Sequence, residues 1–414
     1  PYYLRAAEGA ARLFGYQEAV RLAERALGVV AALPAGAERD ERELAVRVAA
    51  QGPYNALGGW TSAAAQENVA TILALSERTG DRPMTVSSLT AMWGSAFVAG
   101  RLADALALAE RVHAAAADAP GLVAYGHLAL AGSLTSAGQP RRALRHFDRA
   151  TAEQGDTGPE LLGFAPSVMA WAWGAHACWL TGRVDEARAR AATAVQVAED
   201  LAVPFGRAVA VAYAAITHQL RGDRDEALAC AIEIQELCAR YEFAYYQHWG
   251  QIVEGWAVGG PSGAAKITDG IQRLREHGVG SRLPYYQALL AETLLAAGRP
   301  RQAADVLAEA RTEAERRADL WWVPELWRLG AKLDPSDAGE QQLVTAMTMA
   351  RDHGSTALAL RAAVDLAARS VERGDVDRAR KLVAPLRADC EGTSPELEAV
   401  DARMDTLAGQ AATR

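Results

Sequence analysis

Gly182-Arg183-Val184-Asp185-Glu186-Ala187 and, about forty residues on, Gly222-Asp223-Arg224-Asp225-Glu226-Ala227 decide the fold. Each is a glycine, a short polar stretch and an alanine five places later. Apolar residues at i, i+3 and i+4 run away on both sides, as in Ala187, Ala191, Ala194 and Val195. The same spacing recurs at Gly100/Ala105, Gly138/Ala143, Gly298/Ala303 and Gly374/Ala379. The glycine takes the left-handed conformation that ends one helix, and the acidic residues after it suit the positive start of the next. The alanine sits where two antiparallel helices cross most closely, and a larger side chain there costs roughly 1–3 kcal/mol. The unit is a helical hairpin, repeated, so function is to be sought on an extended surface rather than in one catalytic cleft.

Looser copies stand at Gly15-Tyr16-Gln17-Glu18-Ala19, Gly59-Trp60-Thr61-Ser62-Ala63 and Gly260-Pro261-Ser262-Gly263-Ala264. From Gly15 to Gly298 the glycines are spaced about 40 residues apart, beyond the 34 of the plain tetratricopeptide repeat. A double step from Gly298 to Gly374 hides a further unit around Ala331 to Met349 whose turn has lost the motif. The expected fold is all-α, an α-solenoid superhelix of about ten tetratricopeptide-like hairpins, with no strand. Breaker clusters such as Pro34-Ala35-Gly36, Asp118-Ala119-Pro120-Gly121 and Asp334-Pro335-Ser336-Asp337 mark the joints. The longest irregular stretch, Gly155 to Pro166, divides an N-terminal sub-array (1–154) from a C-terminal one (167–402), by way of a joint at 155–166. The tail, 403–414, is expected to fray.

Composition narrows the function. The 414 residues carry a net charge of −8, against wrapping a nucleic-acid backbone. One basic stripe, Arg141, Arg142, Arg145, His146 and Arg149, reads as a solvated helix face, with a docking patch as the alternative. Four scattered cysteines without C-x-x-C spacing read as reduced thiols in a cytoplasmic protein. No apolar run approaches membrane-spanning length. The chain opens Pro1-Tyr2-Tyr3-Leu4, already inside a helical pattern, and reads as part of something longer. Phosphate loops, H-E-x-x-H, G-x-S-x-G and dinucleotide fingerprints are absent. No catalytic, metal-binding or cofactor-binding residue is assigned, and no cofactor is expected. His127, His176, His218 and His248 fall on first helices of hairpins and are expected to be packed rather than catalytic.

The aromatic residues say more. Eight of the ten tryptophans lie between Trp171 and Trp327, nearly all ahead of a turn glycine and hence on the first helix of a pair. In tetratricopeptide superhelices that helix lines the concave side. The candidate groove is Trp171, Trp173, Tyr213, His218, Tyr245, Tyr246, Trp249, Tyr285, Tyr286, Trp321 and Trp322. His218, Gln219, Arg221, Gln247 and Gln251 would orient a peptide, sugar or small effector. The competing reading is that the rings fill space between hairpins. On a helix, the neighbours Trp321-Trp322 and Tyr285-Tyr286 project about 100° apart and so cannot both bury against one partner.

The run Phe243-Ala244-Tyr245-Tyr246, Trp249-Gly250, Gly255-Trp256-Ala257 and Pro284-Tyr285-Tyr286-Gln287-Ala288-Leu289-Leu290-Ala291-Glu292 resembles the C-terminal helical-repeat region of large bacterial signal-transducing (STAND-type) ATPases. Leu307-Ala308-Glu309-Ala310, Glu325-Leu326-Trp327-Arg328-Leu329 and Ala350-Arg351-Asp352-His353-Gly354 continue it, as does Arg5-Ala6-Ala7-Glu8 near the start. In that family a nucleotide-cyclase-like or DNA-binding effector domain comes first, a phosphate-loop ATPase second and the repeat array last. The resemblance implies a sensor that binds an inducer or partner protein and holds or releases the ATPase. No family catalytic residue maps onto this chain. The alternative is a stand-alone protein–protein interaction scaffold. Either way the partner is a protein or a small effector in the groove, with no membrane and no direct nucleic-acid contact.

Overall fold

The computed structural model describes residues 1–13, 15–58, 62–119, 121–152, 165–241 and 243–412. Among them are twenty-one helices. They are α1 (Tyr2–Arg12), α2 (Tyr16–Ala31), α3 (Ala37–Gly58), α4 (Ala63–Thr79), α5 (Arg82–Val98), α6 (Leu102–Ala116), α7 (Val123–Ser136), α8 (Pro140–Ala152), α9 (Pro166–Leu180), α10 (Val184–Leu201) and α11 (Pro204–Arg221). There follow α12 (Arg224–Tyr241), α13 (Ala244–Val258), α14 (Gly260–Glu276), α15 (Leu283–Ala296), α16 (Pro300–Arg317), α17 (Val323–Ala331), α18 (Asp337–Asp352), α19 (Thr356–Glu372), α20 (Val376–Ala388) and α21 (Pro395–Ala412). They pair as ten antiparallel hairpins, α1/α2 to α19/α20, with α21 following. Among the described residues the only β-type pairing outside helices is a single parallel bridge, Arg183 with Glu391.

The repeat works as its residues dictate. Gly100, Gly138, Gly182, Gly222, Gly298 and Gly374 all have φ between 70° and 91°. At Gly182 the Arg183 N–H donates to the Cys178 carbonyl at 2.9 Å and the Gly182 N–H to that of Trp179 at 3.0 Å. This doubly bonded left-handed cap satisfies carbonyls that the helix end would otherwise orphan. The partner alanines Ala105, Ala143, Ala187, Ala227, Ala303 and Ala379 are completely buried. The hairpin without a glycine turn is α17/α18, where the Ser336 hydroxyl caps α18 through Ala338 N–H and the Asp334 carboxylate accepts from Ser336 N–H.

From α5 to α19 the odd-numbered helices lie inside the superhelix, and α9 and α11 are buried on almost every face. Even-numbered helices bury one stripe and expose the other, as α16 does. Successive superhelical turns also touch. Gly280 N–H donates to the Val98 carbonyl at 2.8 Å, Leu320 N–H to that of Ser136 at 2.7 Å, and Glu391 N–H to that of Gly182 at 2.7 Å. The hairpin turns after α5, α7 and α9 are thus roofed by loops from the next turn of the spiral. One hydrophobic core runs from Leu73 to Val400, while α1 to α3 keep a small cluster of their own around Ala23 and Val30.

Most of the expected joint, 155–164, lies outside the described residues. Pro166 opens α9, and Phe147 of α8 meets Trp173 of α9 with ring centres 6.0 Å apart, so helices on the two sides share the core. Through the expected tail, α21 continues as helix to Ala412. No helix among the described residues is long and apolar enough to cross a membrane.

Candidate binding cleft

The structure brings the sequence-predicted aromatics together on the superhelix axis, packed on one another. Ring centres lie 5.8 Å apart for Trp173–Tyr213, 5.2 Å for Tyr213–Trp249, 6.0 Å for Trp249–Tyr286 and 5.1 Å for Tyr285–Trp322. Trp173, Tyr213, Tyr246, Trp249, Tyr285, Tyr286, Trp321 and Trp322 are all at most 6% exposed. Trp171 and Tyr245 are half-buried against this core. Of the two readings of these rings, groove wall and space-filling core, their burial favours the core. The cause is the next superhelical turn, which drops Arg282 into the axis. Its guanidinium carbon lies 5.2–5.4 Å from the ring centres of Trp173, Tyr213, Trp249 and Trp321, a fully buried cation held on aromatic faces. His176 donates from Nε2 to the Tyr213 carbonyl at 3.0 Å. That bond leaves Nδ1 as the lone-pair nitrogen toward Arg282, and burial reinforced by Arg282 holds the ring neutral.

The neighbour rule for Trp321-Trp322 needs correcting. Both rings pack on Tyr285, at 5.3 and 5.1 Å, because they precede α17 in a turn and the helical 100° step does not apply. Tyr285 and Tyr286, which are helical, do diverge, toward Trp321 and Trp249 respectively. His218 sits beside Asp223, Nδ1 to Oδ2 3.2 Å, and Arg221 donates to the same oxygen at 2.6 Å. These groups brace a hairpin turn. Gln251 is tied to Asp269 at 2.7 Å, and Gln247 is exposed.

A cavity of ≈ 360 Å³ lies at the C-terminal end of the axis, between α19 and α21. Its apolar walls include the indoles of Trp179 and Trp256, with Leu360 and Val364 of α19 facing Leu397 and Val400 of α21. Beneath them runs a charged relay. Glu325, 4% exposed, accepts from Arg328 at 2.6 and 2.8 Å. Arg328 also reaches Asp365 at 2.6 Å. Arg361 spans the opening, donating to Glu396 of α21 at 2.5 and 2.9 Å and to the Leu220 carbonyl of α11 at 2.9 Å. Its guanidinium lies 4.7 Å from the Trp179 ring centre. Burial alone would raise the Glu325 carboxyl, but Arg328 and Arg361 outweigh it and hold it at about 2. Gln219 links cleft to core by accepting the Tyr285 hydroxyl at 2.6 Å. Arg403 lies on the rim, exposed and in no ion pair among the described residues.

The segment leading into α21 docks edge-on. Val184 N–H donates to the Glu391 carbonyl at 3.0 Å, Arg221 to that of Thr393 at 2.9 Å, and Thr393 N–H to the Asp185 carboxylate at 3.1 Å. Of the predicted residues, only the orienting Gln219 lines the cavity. A readable signal for the rest was charge inside otherwise apolar first helices: Glu325 and Arg328 in α17, Arg361 and Asp365 in α19. The two pairs lie about one repeat apart, which places them side by side on adjacent inner helices.

No family model matches the chain. An uncharacterised protein, R02095, of Rhizobium meliloti (strain 1021) is 26% identical over 231 residues, covering 54% of this chain and 22% of that protein. The chain therefore spans about a fifth of that relative's length. Among solved structures, a Rap protein complexed with competence and sporulation factor matches over 98% of both chains, with a TM-score of 0.54 and 11% identity. A signal transduction ATPase with numerous domains and a tetratricopeptide repeat sensor, from Pyrococcus horikoshii, matches over 90% of this chain and 54% of that one, at TM-score 0.47 and 12% identity. The fold is a tetratricopeptide-like α-solenoid.

Proposed function

We propose that the chain is a non-enzymatic recognition module of the cytoplasm, which binds a protein segment or a small effector in the cleft between α19 and α21. The observation that carries this is the cavity itself. It is of ligand-holding size, with aromatic and aliphatic walls and a few placed charges, among them Arg361, whose bond to Glu396 would have to be exchanged for one to the ligand. Binding would favour one state of the molecule and pass that preference to an attached or associated signal-transducing ATPase. The ATPase rests on the sequence resemblance. The second reading, a stand-alone interaction scaffold, draws support from the match over 98% of both chains with the Rap protein.

The test is a peptide-display selection on the full chain, read by calorimetry on chemically synthesised binders. Val364→Trp fills the cavity from its α19 wall and is expected to weaken them at least tenfold while leaving helicity intact. Binders indifferent to that substitution, and protecting other segments from hydrogen exchange, would remove the cleft from the account.

A further inference from the structure

Far from the cleft, three histidines from successive helices converge. His113 of α6, His127 of α7 and His146 of α8 have ring centres 4.7 Å (113–127), 5.2 Å (127–146) and 5.7 Å (113–146) apart. The Nδ1 atoms of His127 and His146 are 2.9 Å apart. That contact requires one nitrogen to donate a proton to the lone pair of the other, so the two rings cannot both be cations while it holds. Burial first, then the neighbouring charges, lowers all three proton affinities, His127 to about 4.

The surrounding charges are almost all of one sign. Arg149 of α8 acts on all three rings, and Arg142 and Arg145 act on His146. All three arginines are exposed, and none forms an ion pair among the described residues. The helices packed around the cluster offer little to offset them. Besides His127, α7 carries no ionisable side chain but Tyr125. The single arginine of α5, Arg82, is bound to Asp118 and the Ala115 carbonyl. On α9 the one charge-bearing candidate is His176, which faces the axis. On α6, Asp104 pairs with Arg101, Arg111 with Glu77, and Glu110 is exposed. Asp148 of α8 is held by Arg190 at 2.5 Å, and Arg141 reaches the Gly354 carbonyl.

In a chain of net charge −8, this face thus gathers around three neutral imidazoles three guanidiniums without a carboxylate partner among the described residues, Arg142 bonded only to the Gln139 side chain and Arg145 to the Arg141 carbonyl. Among the described residues no three His, Cys, Asp or Glu side chains form a metal-ligand set, and the guanidiniums would repel a divalent cation. What the charge pattern lacks is an anion. We propose that the face formed by His113, His127, His146, Arg142, Arg145 and Arg149 is an oxyanion-binding site for a phosphate- or sulfate-type group, which takes up protons as it fills. An anion among these groups favours the imidazolium form, so by linkage its affinity rises as the pH falls. Free phosphate and a phosphate ester on a partner share this chemistry.

Sulfate is the probe, since it keeps its charge across the range used. Calorimetry on the full chain at constant ionic strength is expected to show binding about tenfold tighter at pH 5.5 than at 7.5, the increment for an average of roughly half a proton taken up with each anion bound across that range. The measured heat should depend on the buffer's ionisation enthalpy. Arg149→Gln, a surface change, should cut affinity severalfold, and His127→Phe should flatten the pH dependence. Titration with phosphate and with a phosphoserine peptide separates a free ion from an ester, according to which binds more tightly. Sulfate binding that ignores pH or Arg149→Gln would overturn the proposal, as would tight Zn²⁺ binding that His127→Phe abolishes.

Discussion

Two sets of hairpin turns share one local structure and differ in what lies above them. Gly100, Gly138 and Gly182 are covered by the next superhelical turn, and a Cβ on Gly100 would come within 2.6 Å of the Gly280 backbone. Gly298 and Gly374 have the same left-handed φ, but a Cβ there would meet nothing within 4 Å. The repeated glycine therefore has two duties. It ends a helix wherever it occurs, and in the first superhelical turn it also lets a second layer approach. That layer turns a groove into a core.

The comparison can be broken where the layers meet. Trp321 and Trp322 lie at the junction, Trp321 with its backbone N–H donating to the Ser136 carbonyl and Trp322 with its ring against Trp179, ring centres 6.1 Å apart. Trp321→Ala with Trp322→Ala is expected to cost several kcal/mol, since one buried tryptophan truncation alone costs about 3–5 kcal/mol. Chemical denaturation measures it. A double variant as stable as the parent would place these rings on an open surface. A smaller and sharper contrast comes from the glycines. Gly298→Ala should cost only the left-handed strain, about 1–2 kcal/mol. Gly100→Ala adds the collision with Gly280 and should cost roughly 2–4 kcal/mol. Equal losses at the two sites would mean that the layers do not touch.

Much of the fold was legible because the hairpin is a local device. Glycine, acidic start and crossing alanine are set by residues a few places apart, so ten units could be counted, including α17/α18 with its altered turn. The pairing of superhelical turns was not legible, since it joins Gly182 to Glu391 and Val98 to Gly280 through backbone atoms that carry no side-chain signature. The aromatic cluster was visible, but whether its rings line a groove or fill a core depended on that pairing and stayed open in the sequence, and Trp321 and Trp322 sit in the turn before α17 rather than on an inner helix. The cleft was missed for a related reason: Glu325 and Arg361 sit on adjacent inner helices, but Glu396 completes the site only when α21 folds back over α19. The basic stripe on α8 was visible, but its meeting with His113 and His127 needed the packing of α6 and α7.

The closed axis is tested most directly by quenching of tryptophan fluorescence with iodide on the native chain. Trp93, Trp173, Trp179, Trp249, Trp256, Trp321 and Trp322 are each at most 6% exposed, so the account predicts emission typical of apolar surroundings, most of it out of iodide's reach until the chain is unfolded. Emission that iodide largely quenches in the folded protein would mean an open groove lined by these indoles, and would contradict the layered superhelix.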